Sequence, residues 1–162
     1  MPGSQPQWLD DAEMAAWIPL IQLMVLLPSA LDRQLRADSG LTHTHYSVLA
    51  LLAASDPQPL SMSTIAKITG TEPSRLSHAV RVLEERRFVS RRRSPENRRV
   101  QLAVLLPAGR AALADAAPGH VALVRRVVFD RLTSTDLRDL RRIAQKLVAG
   151  LEEAPLPTQT KP

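Results

Sequence analysis

Five polar residues in one short stretch have side chains suited to contact with nucleic acid. They are Ser74, Arg75, Ser77, His78 and Arg81. An arginine guanidinium can donate two parallel hydrogen bonds to guanine or bind a phosphate, while serine and histidine can reach base edges or the sugar–phosphate backbone. Between them, Leu76, Val80 and Leu83 recur at the spacing of one helical stripe. The stretch therefore predicts a helix that buries its apolar side and leaves the polar residues exposed.

A second group of basic residues lies on a hairpin predicted directly after this helix. The segment FVSRRR is followed by the turn cluster SPEN and then by apolar residues at period two. Those apolar residues are Val100, Leu102, Val104 and Leu106. Arg91 and Arg93 share one side of their strand, either as DNA contacts or as a solubilising face. The tip carries Asn97, Arg98 and Arg99, and an arginine there can enter a minor groove and respond to its width.

A shorter helix precedes the polar one. Ser63 is its predicted cap, and Gly70 is the predicted residue that ends it. Its predicted inward-facing residues are Ile65, Ala66 and Ile68. Thr71 is the predicted cap of the following helix, with Pro73 in the first turn, where a missing N–H costs nothing. Two helices joined by a glycine-containing turn and followed by a hairpin predict a winged helix-turn-helix, mainly α with a small β-wing.

The charge distribution points to the same segment. Residues 61–100 contain ten basic and four acidic residues, a net charge of +6, whereas the whole chain carries +5. The rest of the chain is therefore close to neutral, at −1. A positive charge confined to a segment whose shape fits a groove is typical of phosphate binding.

The run IAKITGTEPSRLSHAVRVLEERRFVSRRRSPENRRVQLAVLLPAGR resembles the MarR family of bacterial transcriptional regulators. The resemblance covers roughly residues 9–151 and is most specific over residues 83–109. Two residues depart from the family pattern: Asn97 stands where the family usually has Asp, and Leu106 where it usually has Thr or Ser. The resemblance makes Arg99 the wing arginine, and Asn97 implies that Arg99 is held less rigidly than usual.

The resemblance implies a homodimeric, sequence-specific DNA-binding regulator, with repression the expected mode, acting on a pseudo-palindromic operator. In the family, a small aromatic or anionic effector binds between the dimerisation helices and the winged helix and weakens DNA binding. Trp17, His43, His45 and Tyr46 are the candidate effector-binding residues here. The alternative for these four is ordinary packing in the core or at the dimer interface.

The chain on either side of the winged helix predicts dimerisation helices at residues 9–39 and 107–151, around a DNA-binding domain at residues 42–106. Asp10 and Glu13 predict a capping box for the first helix, and Pro19 and Pro28 predict kinks or a break within it. The last helix is predicted to begin after Thr133 or Ser134. Apolar stripes in both flanking segments exceed what a winged helix could cover, so two chains are expected to bury them together. Residues 1–8 and 154–162 are predicted flexible tails.

Other classes of protein find little support in the sequence. Cysteine is absent, and the four histidines are not spaced as metal ligands, so neither a cofactor nor a metal is predicted. No nucleophile motif or phosphate loop indicates an enzyme. The most apolar run, residues 17–27, is too short for a membrane span, so the protein is predicted to be cytoplasmic. The alternative function is a winged helix used for protein–protein assembly without DNA readout.

Overall fold

The computed structural model describes residues 8–153, in two compact units divided after Val121. The elements are α1 (Asp11–Ser39), α2 (His43–Ser55), β1 (Leu60–Ser61), α3 (Met62–Thr69), α4 (Pro73–Glu85), β2 (Val89–Arg93), β3 (Gln101–Leu105), α5 (Pro107–Val127), a 3-10 turn (Phe129–Arg131) and α6 (Ser134–Glu153). This order confirms the mainly α winged helix-turn-helix. Apart from Trp8, the predicted tails lie outside the described residues.

Helix α1 begins and ends as the sequence predicts. The Asp10 carboxylate accepts a hydrogen bond from the Glu13 N–H at 2.8 Å, and Glu13 Oε2 accepts one from the Asp10 N–H at 2.9 Å. Gly40 ends the helix in the left-handed conformation, at φ 63°. Of the predicted kinks or break, the break does not occur, since α1 runs without interruption through both Pro19 and Pro28.

The hydrophobic core lies in the first unit and joins α2, α3, α4 and the sheet with parts of α1 and α5. Its members include Leu35, Leu49, Ile65, Leu76, Val80, Leu83 and Ala103. The apolar stripe predicted for the polar-faced helix is confirmed, since Leu76, Val80 and Leu83 are all at most 1% exposed. In α3, Met62, Ile65 and Ala66 face the core, and the prediction for Ile68 is wrong. At 100° per residue Ile68 falls outside the arc that those three residues define.

The caps of α3 and α4 differ from those predicted. Ser61, not Ser63, caps α3, and its Oγ accepts the Thr64 N–H at 3.0 Å. This is because the short strand β1, which pairs with β3, leads directly into the helix. Glu72 occupies the cap position of α4 without a side-chain cap, and Thr71 Oγ1 bonds instead to Thr69.

The three-stranded sheet is antiparallel with the order β1-β3-β2, so β2 is an edge strand. Arg91 pairs with Ala103 and Arg93 with Gln101. Ala103 is buried in the core, and Leu105, half-buried like Leu102 and Val104, packs against it. The predicted period-two strand is thus confirmed and is half-buried, and its side that meets the core carries Ala103 and Leu105.

Helix α5 continues through Pro118 and Gly119 and ends at Val127, before the 3-10 turn. Near its start, Gly109 packs so tightly that an added Cβ would clash with the Phe88 carbonyl oxygen. In the second unit Thr133 caps α6, because its Oγ1 accepts the Asp136 N–H at 3.2 Å and Asp136 Oδ2 accepts the Thr133 N–H at 2.9 Å.

Two helices leave large apolar side chains exposed in the isolated chain. In α1 these include Trp17, Ile18, Leu23, Val25 and Leu26; in α6 they include Leu137, Leu140, Ile143, Leu147 and Leu151. Within residues 8–153, α1 is the one helix long and apolar enough to cross a membrane, with an 18-residue window of mean hydropathy 1.8. A count of uninterrupted apolar residues does not detect this window, because Pro19 and Gln22 interrupt it without making it polar.

Candidate nucleic-acid interface

Helix α4 presents the predicted polar residues on its exposed side. Ser74, Arg75, Ser77, His78 and Arg81 are all exposed, opposite the buried stripe. Arg81 pairs with Glu85 one turn later, and its Nη2 lies 3.1 Å from His78 Nδ1. Ion pairs between such exposed groups contribute little, about 0–1 kcal/mol, so DNA can displace them. The face is therefore available as a set of donors for a polyanion.

The wing tip is folded by its own hydrogen bonds. The Ser94 N–H donates to the Val100 carbonyl at 2.9 Å, and Arg93 Nη1 donates to the Arg98 carbonyl at 2.8 Å. Asn97 Oδ1 accepts the Arg99 N–H at 3.0 Å, so the amide anchors the Arg99 backbone. Within residues 8–153 the Arg99 guanidinium makes no hydrogen bond, which leaves this cation at the tip ready for an outside partner.

Arg91 has a different environment from the other predicted contacts. Its guanidinium is paired with Glu84, with Nη2 2.6 Å and Nε 2.8 Å from Glu84 Oε2. The two side chains are only 24% and 27% exposed. Arg93 lies on the same side of β2 and is exposed. Of the two arginines predicted on this side, Arg91 is therefore paired with Glu84, whereas Arg93 is accessible to solvent. Sequence reasoning missed Glu84, although a carboxylate in the last turn of a helix, where the dipole disfavours it, was a signal.

The four candidate effector residues have different surroundings, although His43 and Tyr46 both lie beside the His120 ring. His45 is the third residue of the α2 capping box, where its Nδ1 accepts the Thr42 N–H at 3.3 Å. Burial, followed by the nearby Arg86 and Arg36 charges, lowers the pKa of His45. Tyr46 packs on His120, with ring centroids 4.2 Å apart, and burial raises the Tyr46 pKa. Trp17 lies on the exposed part of α1, at 46% exposure.

A cavity of about 520 Å³ lies between α1, α2 and the helix-turn-helix. Its lining residues are Asp32, Arg36, Thr42, Thr44, His45, Gly70, Thr71, Glu72, Arg75, His78, Ala79 and Val82. Of the four predicted residues only His45 contributes to it, while His43 lines an adjacent cavity of about 490 Å³ with Asp32 and Arg36. Arg75 and His78 belong both to this cavity and to the polar face of α4. The hydrogen bond from Arg36, with a further one from the His43 N–H, lowers the pKa of Asp32.

The fold and the basic face together define a winged helix-turn-helix transcriptional regulator, and comparison with known proteins identifies the family. The family model "MarR family" matches residues 39–100. The chain is 41% identical to Sco3205, a MarR family transcriptional regulator from Streptomyces coelicolor solved in complex with DNA, with 96% of this chain and 98% of that chain covered and a TM-score of 0.87. The protein belongs to the MarR family of transcriptional regulators.

Two further structures extend the comparison. AbsC, a MarR family transcriptional regulator from Streptomyces coelicolor, is 33% identical, with coverage of 92% and 100% and a TM-score of 0.84. CouR from Rhodococcus jostii RHA1, solved with p-coumaroyl-CoA, is 27% identical, with coverage of 96% and 100% and a TM-score of 0.68. A search of curated proteins found no match.

Proposed function

We propose that the protein is a cytoplasmic, sequence-specific DNA-binding repressor that acts as a homodimer on a pseudo-palindromic operator. The observation that carries this proposal is the exposed polar face of α4, backed by a buried stripe and followed by an arginine-tipped wing. The +6 charge of residues 61–100 supplies the attraction to phosphate. The DNA complex of Sco3205, 41% identical, supports the same assignment.

The homodimer is proposed to form through residues 9–39 and 107–151, which leaves residues 42–106 for DNA. The exposed apolar side chains of α1 and α6 support this division, because isolated chains rarely leave such long apolar stripes in water. Burial of α1 in the dimer interface would also explain why this helix contains an apolar window, without a membrane. A two-fold dimer presents two α4 helices, and two-fold symmetry in the protein favours a matching symmetry in the operator.

The proposed DNA contacts divide by chemistry and position. Arg75 and Arg81 serve as donors to guanine or phosphate in the major groove, with Ser74, Ser77 and His78 reaching neighbouring edges or backbone. Arg93, Asn97 and Arg98 hold or flank the tip, and Arg99 enters the adjacent minor groove. We assign Arg91 to holding the wing rather than to DNA, because Glu84 occupies its guanidinium.

A small anionic effector is proposed to regulate this binding. The 520 Å³ cavity supports it, since Arg36, Arg75 and His78 supply cationic or donor groups at its wall. The p-coumaroyl-CoA complex of CouR supports an aromatic acid or its thioester as the ligand class. Because Arg75 and His78 line the cavity and also face the proposed DNA side, a ligand there would compete with DNA for the same side chains. Chemical catalysis has no part in this proposal, and the similar proteins are regulators.

The test is to select bound fragments from the host genome and to measure affinity for the selected duplex against salt. For a DNA-binding protein, the logarithm of the binding constant falls linearly with the logarithm of the salt concentration, because each neutralised phosphate releases a counterion. The slope is about −0.9 for each phosphate contacted. Scrambled duplex of equal length is the matched control. A slope near zero, or equal affinity for selected and scrambled duplex, would instead favour the protein–protein assembly module.

A further inference from the structure

The Glu84 carboxylate is held entirely by one residue of the wing. Glu84 Oε1 accepts the Arg91 backbone N–H at 2.9 Å, while Glu84 Oε2 accepts Nε at 2.8 Å and Nη2 at 2.6 Å. Among the ion pairs of the described residues this one is the least exposed. Ion pairs that are shielded from water and bonded at several points have a defined geometry, unlike exposed pairs.

The position of each partner shows what the contact does. Because β2 is an edge strand, its outward N–H groups have no neighbouring strand, and Glu84 supplies the acceptor for that of Arg91. Glu84 stands next to the last residue of α4, where the helix dipole disfavours a carboxylate. The stability of α4 alone therefore does not explain this carboxylate, whereas fixing β2 against α4 does.

The wing is attached to α4 at two points. The first is the connection at residues 86–88, where Arg87 adopts φ 57° and the Phe88 N–H bonds the Leu83 carbonyl at 2.9 Å. The second is the contact between Glu84 and Arg91. The base of the hairpin is also fixed by the pairing of β3 with β1 and by the burial of Val89 and Ala103 in the core. The Glu84 contact acts elsewhere, on the outer edge of β2, which no neighbouring strand covers. Glu84 is thus the α4 side chain that holds the outer edge of β2, the strand that leads to the tip with Arg99.

We propose that Glu84 is a positioning residue for DNA binding: through Arg91 it sets the angle of the wing so that Arg99 reaches the duplex when α4 is docked. This inference rests on the DNA-binding function proposed above. Glu84 itself touches no DNA, and Arg91 acts as its partner rather than as a phosphate contact. The Arg99 interaction with DNA is then energetically coupled to a side chain fifteen residues earlier in the sequence.

The positioning role and simple electrostatics predict opposite changes in DNA affinity when Glu84 is removed. Removing Glu84 raises the net charge by one and releases the guanidinium of Arg91, and both changes strengthen attraction to phosphate. If Glu84 had no positioning role, its removal would leave DNA binding unchanged or tighter. The proposal predicts the opposite, a loss of affinity. Glu85→Ala is the matched control, since it removes the same charge from the next residue, whose pair with Arg81 is exposed.

The experiment measures the operator affinity of wild type, of the single variants Glu84→Ala, Glu84→Gln, Arg99→Ala and Glu85→Ala, and of the two double variants that combine Arg99→Ala with either Glu84 substitution. All measurements are made at a temperature where circular dichroism shows that every protein is folded. We expect Glu84→Ala to weaken binding about tenfold, similar to Arg99→Ala. We expect the double variant to bind within about twofold of the weaker single variant, because a misplaced wing no longer benefits from Arg99. Glu84→Gln should fall between, and Glu85→Ala should bind at least as tightly as wild type.

Two results would overturn the proposal. One is binding by the Glu84 variants as tight as, or tighter than, that of wild type. The other is a double variant whose loss is the full product of the single losses, about a hundredfold, which would show that Glu84 does not act through the wing. If Glu84→Ala fails to fold, Glu84→Gln carries the same comparison, because its amide retains an acceptor for the Arg91 N–H. A wild-type protein without salt-dependent duplex binding would refute the proposed function itself.

Discussion

Helices α4 and α6 have similar sequences in outline but very different surroundings. Both carry apolar residues at helical spacing, with two arginines on the remaining surface of α4 and three on that of α6. In α4 the residues Leu76, Val80 and Leu83 are at most 1% exposed, whereas in α6 the corresponding stripe is 38% exposed at Leu137 and 74% at Leu151. The same periodicity thus predicts an amphipathic helix in both places, but only the fold shows which stripe its own chain covers. The uncovered stripe of α6 is the one that needs a partner.

The largest expected effect comes from the stripe of α6. Leu140→Asp combined with Leu147→Asp places two charges where the proposed dimer buries apolar surface, so the dimer should dissociate at micromolar concentration. Operator affinity should then fall more than about a hundredfold, because a single chain binds only one half-site. Sedimentation velocity measures the first effect and duplex titration the second. A variant that remains dimeric would show that α6 lies outside the interface.

The stripe of α4 provides the contrasting case. Leu83→Ala leaves a cavity in the core of the first unit and should lower the free energy of unfolding by about 2–5 kcal/mol. Chemical denaturation at two protein concentrations distinguishes this from an interface effect, because the change in stability should be the same at both. A loss that disappears at high concentration would place Leu83 at an interface instead.

The polar sides of α4 and α6 should also differ, in how much they contribute to operator affinity. Arg75→Ala should weaken operator binding by about 1–3 kcal/mol if its contact is bidentate to a base, and should relax specificity at one position. Arg141→Ala in α6 is the matched control and should change operator affinity by much less. Titration of both variants on the operator and on single-base substitutions of it checks this. Equal losses for the two arginines would mean that general charge, not α4, determines binding.

The wing should contribute a smaller effect that depends on DNA shape. Arg99→Ala should cost more on operators with A·T-rich flanks than on those with G·C-rich flanks, because a narrow minor groove concentrates negative potential. Fluorescence anisotropy on the two duplexes measures the difference. An equal loss on both would reduce Arg99 to a phosphate contact, and no loss on either would remove the wing tip from the interface.

The smallest expected effect concerns pH. Burial lowers the pKa of His45 in the folded chain, so below about 6.5 the unfolded chain takes up a proton that the folded chain does not. Stability should therefore fall as pH decreases through 6.5 and level off below the folded pKa. Denaturation between pH 7.5 and 5 should show a flatter profile for His45→Gln. An unchanged profile would assign the proton uptake to another group.

Local sequence signals predicted much of the fold. The capping box of Asp10 and Glu13 and the helix end at Gly70 are predicted from the sequence, and the hairpin follows from period-two spacing and the SPEN turn. These features depend on residues within a few positions of one another, so the sequence carries them. Ser61 was missed as a cap because it depends on β1, a two-residue strand whose pairing with β3 bridges about forty residues.

The candidate site was predictable in outline but not in its connections. The polar face of α4 followed from helical spacing, since every residue off the apolar stripe must face outward. The engagement of Arg91 did not, because strand alternation gives the side on which an arginine lies but not its partner. The residues that line the cavity were not predictable either. Residue type groups Trp17 with His43, His45 and Tyr46, but tertiary packing brings Arg36 and Thr44 to the cavity wall instead of Trp17.

The central claim is that a dimer places two α4 helices and two wings on one duplex, and hydroxyl-radical footprinting on the selected operator tests it most directly. Two protected half-sites should lie about 34–36 Å apart, or a multiple of that distance, with flanking minor-groove protection that Arg99→Ala removes. Sedimentation should give two chains per duplex. A single protected half-site with one chain bound, or no protection at concentrations that saturate binding, would contradict the account.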